Sequence, residues 1–205
     1  MKNNHRRLLR AAALLTTALT VTTLSGCGIR STEVPTDFGP GPSRVPCVMS
    51  GSSIASQSTS GVPVQVFLVC AAQLVTVDRS VRISTQKATT DRVRIAQALL
   101  DELARAPSSP EKQAGFATDV RGGTIVEGPG KGDPEDTLRF STSPEDLSAF
   151  ALAQIVCTFA DSAAAGADRE VILGGPGDAA LRRYECTAAV RQRPGTVAPP
   201  TETVP

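Results

Sequence analysis

The side chains of this chain that could carry the most chemistry are those of its five cysteines, and Cys27 has the most informative surroundings. It follows the tripeptide Leu24-Ser25-Gly26, which comes directly after a mainly apolar run over residues 8–23. Four basic residues and no acidic one precede that run: Lys2, Arg6, Arg7 and Arg10. A basic segment, a short apolar segment and small residues at a cleavage site are typical of a secretory signal peptide. The pattern predicts that residues 1–26 direct the protein out of the cytoplasm.

The segment Leu24-Ser25-Gly26-Cys27 resembles the bacterial lipobox. The resemblance implies cleavage before Cys27, a diacylglycerol on its sulfur and usually an acyl group on the new amine. Two or more acyl chains hold a protein stably on a bilayer. The apolar run is too short and too rich in threonine to span a bilayer, which takes about 20 apolar residues. An ordinary signal peptide with a chance cysteine and a signal anchor are the alternatives. Lipidation of Cys27 predicts a protein tethered to the extracytoplasmic face of the cell membrane.

The other four cysteines, Cys47, Cys70, Cys157 and Cys186, suggest disulfides, because exported chains fold where thiols oxidise. Three pairings are possible, and we favour Cys47–Cys70 with Cys157–Cys186. The first bond would hold the linker against the first strand, and the second would join a helix to the last strand. Buried free thiols remain the alternative. No C-x-x-C spacing is present, so a metal site is not expected.

Composition excludes several classes of active site. The only histidine, His5, lies in the leader, so the exported chain has no Ser-His-Asp or Cys-His site and no histidine for zinc. Tryptophan is absent and Tyr184 is the single tyrosine, which leaves few aromatic platforms for sugars. The leader also holds four of the 21 Lys and Arg residues and none of the 20 Asp and Glu residues. The remainder is mildly acidic and lacks the basic patch that nucleic acid requires. No cofactor is implied.

The chain divides into four parts by composition. A leader over 1–26 is followed by a lipidated N-terminus and flexible linker over 27–61, rich in Gly, Pro, Ser and Thr. Residues 62–190 carry the periodic patterns of one folded domain, and residues 191–205 are predicted to be a disordered Pro/Thr-rich tail. The domain is predicted to be α+β, a mostly antiparallel sheet with two main helices packed on one face.

Hydrophobic periodicity places the elements of this domain. Alternating or β-branched segments predict strands over 62–70, 74–78, 124–127, 137–141, 169–173 and 181–187, with a hairpin turn near Ala71-Ala72. A helix is predicted over 90–106, because Ala96, Leu99, Leu100 and Leu103 share one face. A short helix follows Ser108-Ser109-Pro110-Glu111, and a deeply buried helix is predicted to open at Ser143-Pro144-Glu145-Asp146.

Several other segments could carry chemistry, and a structural role explains each of them better. The glycine-rich stretches over 128–133 and 174–177 lack the Gly-Lys-Ser/Thr ending of a phosphate loop, so we interpret them as turns. The acidic group Asp133, Glu135 and Asp136 fits no calcium-binding spacing. Glu145 and Asp146 are adjacent and are better explained as helix-capping acids than as a catalytic pair. Ser108 and Ser109 have no recognisable base.

Three stretches are similar to the GerMN domain of spore-germination proteins and actinobacterial envelope lipoproteins. They are Val64-Gln-Val-Phe-Leu-Val with Gln73-Leu-Val-Thr-Val-Asp-Arg79, Ala98-Leu-Leu-Asp-Glu-Leu103 with the segment from Ala106 to Thr118, and Leu152-Ala-Gln-Ile-Val-Cys-Thr158 with Glu170-Val-Ile-Leu173. The resemblance covers about residues 62–187, although the family usually has glycine where Ala106 stands. It implies an extracytoplasmic domain that acts in envelope or spore assembly and carries no catalytic residues to transfer.

The sequence as a whole favours a non-enzymatic binding or interaction module of the cell envelope. Its partner would be an envelope protein or a cell-wall component. The alternatives are a solute-binding lipoprotein associated with a transporter and an envelope hydrolase that uses carboxylates alone. Solute-binding lipoproteins usually have two lobes and about twice this folded length, which makes the first alternative weaker.

Overall fold

The computed structural model describes residues 47–48, 62–81 and 88–204, and the side chains of helix residues 88–91 are not considered. The leader and Cys27 lie outside these residues, as does all of the predicted linker except Cys47 and Val48. The predicted α+β class is confirmed, since the described residues contain eight strands and four α-helices. None of the described helices combines the length and apolar character that crossing a membrane requires.

The first sheet has three antiparallel strands in the order β2-β1-β3. They are β1 (Val62–Cys70), β2 (Gln73–Val81) and β3 (Phe116–Ala117). Ala71 and Ala72 connect β1 to β2, at the turn predicted from the sequence, with φ of 49° and 61°. Two-residue hairpins favour positive φ at both turn positions, because that geometry matches the twist of the strands. The long hairpin therefore forms around two alanines in a conformation that usually selects asparagine and glycine.

The second sheet has five strands in the order β4-β5-β6-β7-β8. Its strands are β4 (Val126–Glu127), β5 (Thr137–Phe140), β6 (Val171–Gly174), β7 (Leu181–Tyr184) and β8 (Thr201–Val204). All neighbours are antiparallel except β5 and β6, which are parallel with Leu138 opposite Leu173. The strands thus form two sheets, where the sequence predicted one.

The helices are α1 (Ala88–Ala104), α2 (Ser109–Gln113), α3 (Ala149–Ala160) and α4 (Ala188–Gln192). The predicted opening of the third helix at Ser143 is wrong. Pro144–Asp146 form a short 3₁₀ turn, and Leu147 then adopts an extended ψ of 148° that interrupts the helix. Ser148 caps α3 instead, because its Oγ accepts a hydrogen bond from the Ala151 N–H at 3.1 Å.

Helix α3 lies at the centre of the domain. Nine of its twelve residues are buried, and it contributes to two clusters of apolar side chains. The larger cluster joins α1 to both sheets and includes the edge-to-face pair of Phe140 and Phe159, whose ring centroids are 6.1 Å apart. The smaller cluster includes Phe67 and Val190. Since Phe67 faces the opposite side of β1 from Val66 and Leu68, α1 and the short helix α4 cover different faces of the first sheet.

The prediction of a disordered tail over 191–205 is wrong for most of its length. Residues 201–204 form β8 and pair with β7, with Leu181 opposite Val204 and Tyr184 opposite Thr201. The predicted strand over 181–187 is also shorter, because Thr187 caps α4 by accepting from the Val190 N–H. The unpaired edge of β7 provides the backbone partners that order the Thr-Glu-Thr-Val segment. Composition alone contains no information about that edge.

Candidate functional site

The four cysteines of the folded part form two disulfides. Cys47 is bonded to Cys70 and Cys157 to Cys186, with Cα–Cα distances of 5.8 and 4.9 Å. This is the pairing predicted from the sequence. The disulfide joins Cys47 to the last residue of β1, and the Cys47 N–H also donates to the carbonyl of Ala114, just after α2, at 3.1 Å. Cys27, the predicted lipidation site, lies outside the described residues.

The candidate binding site is a cleft of about 720 Å³ beside the N-terminus of α3. One wall is the loop that follows β3, and the other is the segment that leads from β5 into α3. Side chains from the middle of α1 and the first turns of α3 form the floor. The cleft is lined by Leu100, Thr118, Asp119, Val120, Arg121, Gly122, Gly123, Thr124, Thr142, Asp146, Leu147, Ser148, Ala151 and Ile155.

Hydrogen bonds hold the two walls of the cleft together. Ser148 Oγ donates to Asp119 Oδ2 at 3.0 Å while it caps α3, which links the loop to the helix. Gln154 Oε1 accepts from the Asp119 N–H at 2.8 Å. The hydroxyl of Thr118 donates to the Leu103 carbonyl at the end of α1, at 2.6 Å. The base of the loop is therefore fixed to two helices, which preorganises the cleft.

Gln154 and Thr158 belong to a buried polar network that sequence reasoning missed. Gln154 Nε2 donates to the Phe67 carbonyl at 2.9 Å, and Thr158 Oγ1 accepts from the Phe67 N–H at 3.0 Å. Phe67 lies just beyond the short pairing of β1 with β3, so the helix side chains take the place of the missing strand. A glutamine in an otherwise apolar helix was the available signal, because buried amides require partners.

Gln97 of α1 likewise forms hydrogen bonds with backbone groups, here at the edge of the second sheet. Its Oε1 accepts from the Val126 N–H at 2.7 Å, and its Nε2 donates to the Thr124 carbonyl at 3.3 Å. Thr124 is a cleft residue, so this contact fixes the far end of the same loop. The two helix glutamines thus anchor the loop at both ends and leave its middle, residues 121–123, at the mouth of the cleft.

One arginine, Arg139, connects the two glycine-rich stretches. Arg139 on β5 forms two hydrogen bonds with Asp133, at 2.6 and 2.9 Å, and also donates to the carbonyls of Gly175 and Ala179. The hydrogen bonds from Arg139 lower the pKa of Asp133, against the opposing effect of burial, and the Gly130 N–H adds to the lowering. Through Arg139, Asp133 holds the two glycine-rich loops together. This structural role agrees with the interpretation of both stretches as turns.

A second buried ion cluster joins β2 to α1 and α2. Arg79 donates to both carboxylate oxygens of Glu111, at 3.1 and 2.9 Å, and to Glu102 Oε1 at 3.2 Å. Burial alone would raise the pKa of Glu111, but hydrogen bonds from Arg79 and from the Ser108 N–H, with the charge of Arg79, leave that pKa below its ordinary value. Both partners are almost completely buried, so this cluster is part of the framework rather than an exposed site.

The remaining candidates also have structural partners. Glu145 pairs with Arg182 of β7 at 2.7 Å, while Asp146 lies in the lining of the cleft, so the two acids do not act as a pair. The N–H of Ser108 donates to Glu111 Oε2 at 2.6 Å at the start of α2. Within the described residues, no three His, Cys, Asp or Glu side chains are placed to hold a metal ion.

No family model matches this sequence, and no curated protein or solved structure is significantly similar to it. The similarity to the GerMN domain therefore stays a prediction that rests on the three stretches quoted above.

Proposed function

We propose that this protein is a membrane-anchored, non-enzymatic interaction module of the extracytoplasmic cell envelope. The observation that carries the proposal is the Leu24-Ser25-Gly26-Cys27 motif at the end of a basic and then apolar N-terminus. It supports a lipid anchor on Cys27. The two disulfides add independent support, because such bonds persist in oxidising compartments and are rare in the cytosol.

The cleft supports a role in binding. Its volume lies within the range of ligand sites, and hydrogen bonds to two helices fix the base of its loop. Ser148 lines the cleft and is a candidate nucleophile. Its hydroxyl donates to the carboxylate of Asp119 and accepts from the N–H of Ala151 in α3. The first contact joins the helix to the neighbouring loop and the second is that of a helix cap, so both are structural, which favours recognition over catalysis. The GerMN resemblance, with its implied role in envelope assembly, points to the same class of function.

Lipid attachment can be tested with the full chain and two variants. Cys27→Ser removes the sulfur, whereas Ser25→Ala keeps a small residue before the cleavage site and serves as the matched control. We expect the wild type and Ser25→Ala to partition into detergent and to yield an N-terminal peptide of lipidated mass. Cys27→Ser should lose both properties. An unmodified Cys27 in the mature wild-type protein would refute the anchor.

The interaction role requires a separate experiment. Affinity capture from crosslinked native membranes compares the wild type with Cys27→Ser. One defined envelope protein enriched only by the anchored form would support a positioned interaction module. Robust turnover of cell-wall substrates, abolished by a single polar substitution, would show that the protein is an enzyme and would overturn the proposal.

Solute capture for a transporter is the second candidate, and the 720 Å³ cleft is the observation that favours it. A ligand that binds only the folded state raises the midpoint of thermal unfolding. A screen of small solutes against the purified full chain therefore separates this candidate from the first. A large shift with one solute class, together with no captured protein, would favour solute binding.

A further inference from the structure

We infer that the cleft binds the free carboxylate end of an aliphatic peptide, an inference that rests on the proposed role as an interaction module. The cleft presents three chemical zones, which are a loop with an exposed arginine, an aliphatic floor and a pair of carboxylates. Each zone matches one part of a peptide C-terminus.

The loop supplies the groups that recognise a carboxylate. Arg121 is exposed at the mouth of the cleft, and in the described part of the chain it forms no ion pair. The backbone N–H groups of residues 121–123 donate to no acceptor among the described residues. Gly123 has a φ of +101°, a conformation that glycine adopts at no steric cost. A guanidinium beside free backbone N–H groups is a common arrangement for capturing a terminal carboxylate.

The apolar part of the lining is aliphatic. It consists of Leu100, Val120, Ala151 and Ile155, each of which keeps between 1% and 5% of its surface exposed. None of the described residues that line the cleft is aromatic, so they offer no stacking surface for a sugar or a nucleobase. Ile125, next in sequence to the lining residue Thr124, is 58% exposed.

Two carboxylates complete the lining. Asp119 belongs to the same loop as Arg121 and is held in place by Ser148, whereas Asp146 lies on the opposite wall, and both side chains are exposed. Two carboxylates beside one guanidinium disfavour a wholly anionic ligand such as phosphate. They favour a ligand with an amine or basic side chain a few bonds from its carboxylate, which is the charge pattern of a short peptide.

The test titrates the detergent-solubilised full chain with mixtures of aliphatic tetrapeptides by calorimetry. Each mixture is made with a free C-terminal carboxylate and as the C-terminal amide. We expect the free acids to bind about tenfold more tightly than the amides, because the amide loses the charge-assisted contacts. Arg121→Glu should abolish this preference. Arg191→Glu, at an exposed arginine on α4 that does not line the cleft, should leave it unchanged.

Equal binding of acid and amide, an unaltered preference in Arg121→Glu, or no binding of either form would overturn the inference. Thermal melts of both variants establish that each is folded. Mixtures ending in L-alanine and in D-alanine separate a protein tail from a cell-wall peptide, and a preference for either supports carboxylate recognition. Capture of a partner by an Arg121→Glu variant that binds no peptide would refute this use of the cleft while leaving the proposed function intact.

Discussion

Gln154 Nε2 donates a hydrogen bond to the carbonyl of Phe67 at 2.9 Å, across 87 positions of sequence. With Thr158, which accepts from the Phe67 N–H, it gives the edge of β1 the partners that a neighbouring strand would supply. The Oε1 atom of the same glutamine holds Asp119 in the wall of the cleft. One side chain of the central helix therefore connects the first sheet to the candidate binding site.

Replacement of Gln154 by methionine should destabilise the domain by about 2–4 kcal/mol. Methionine has a similar volume but leaves the Phe67 carbonyl and the Asp119 N–H without protein partners, at about 1–3 kcal/mol for a buried polar group. Urea unfolding at neutral pH measures the loss. Gln192→Leu, at an exposed position of α4, is the control and should change stability by less than about 0.5 kcal/mol. A neutral effect of Gln154→Met would show that the network does not contribute to stability.

The hairpin turn offers a stabilising change. Ala71 and Ala72 both have positive φ, a conformation that costs a residue with a Cβ roughly 1–2 kcal/mol. Replacing the pair by Asn-Gly, which favours this turn, should raise the free energy of unfolding by about 1 kcal/mol. Thermal melts of the single and double variants check the effect. Asn-Gly placed at the exposed pair Ala188-Ala189 should destabilise instead, because those residues form the first turn of α4.

Stability should fall in acid through two carboxylates. The folded-state pKa values of Glu111 and Asp133 lie below their ordinary values of 4.5 and 3.8. A lowered folded pKa contributes stability that is fully present above the unfolded pKa and is lost as pH falls through the folded pKa. We therefore expect stability to be level near neutral pH and to decline progressively below about pH 4.5.

The variant Glu111→Gln isolates the contribution of Glu111. It leaves Arg79 buried without its main partner, so we expect a loss of about 3–5 kcal/mol at pH 7. Its stability should also depend less steeply on pH below 4.5 than that of the wild type. Urea unfolding at pH 7 and pH 3 tests both statements. The same acid slope in Glu111→Gln and wild type would assign the pH dependence to other groups.

Deletion of residues 201–205 should expose the edge of β7. The variant loses the pairing of β7 with β8, which we expect to cost about 1–2 kcal/mol. An unpaired strand edge also promotes association between chains, so the shortened protein should elute at a larger apparent mass as its concentration rises. Glu202→Ala, which keeps the strand, is the control for light scattering. An unchanged monomer of unchanged stability would show that β8 is dispensable.

Local patterns in the sequence were sufficient for much of the fold. Alternation over 62–70 predicted β1, and the apolar positions Ala96, Leu99, Leu100 and Leu103 predicted the buried face of α1, which the structure confirms. Both depend on neighbours within a few residues, where side-chain direction follows directly from backbone geometry. The disulfide pairing was also inferred correctly. The first bond joins the linker residue Cys47 to the end of the predicted first strand, and the second joins a predicted helix to the predicted last strand.

Tertiary structure decided the features that join distant segments. The strand over 201–204 forms only because β7 presents an open edge, and Gln154 has a role only because Phe67 and Asp119 meet at α3. The cleft likewise depends on a loop held at both ends by helix glutamines. Backbone groups at sheet edges must find hydrogen-bond partners, but which side chain reaches them is determined by how the elements pack. The N-terminal sequence alone predicts the cellular location, whereas the packing of the domain creates the surface that we propose to bind a partner.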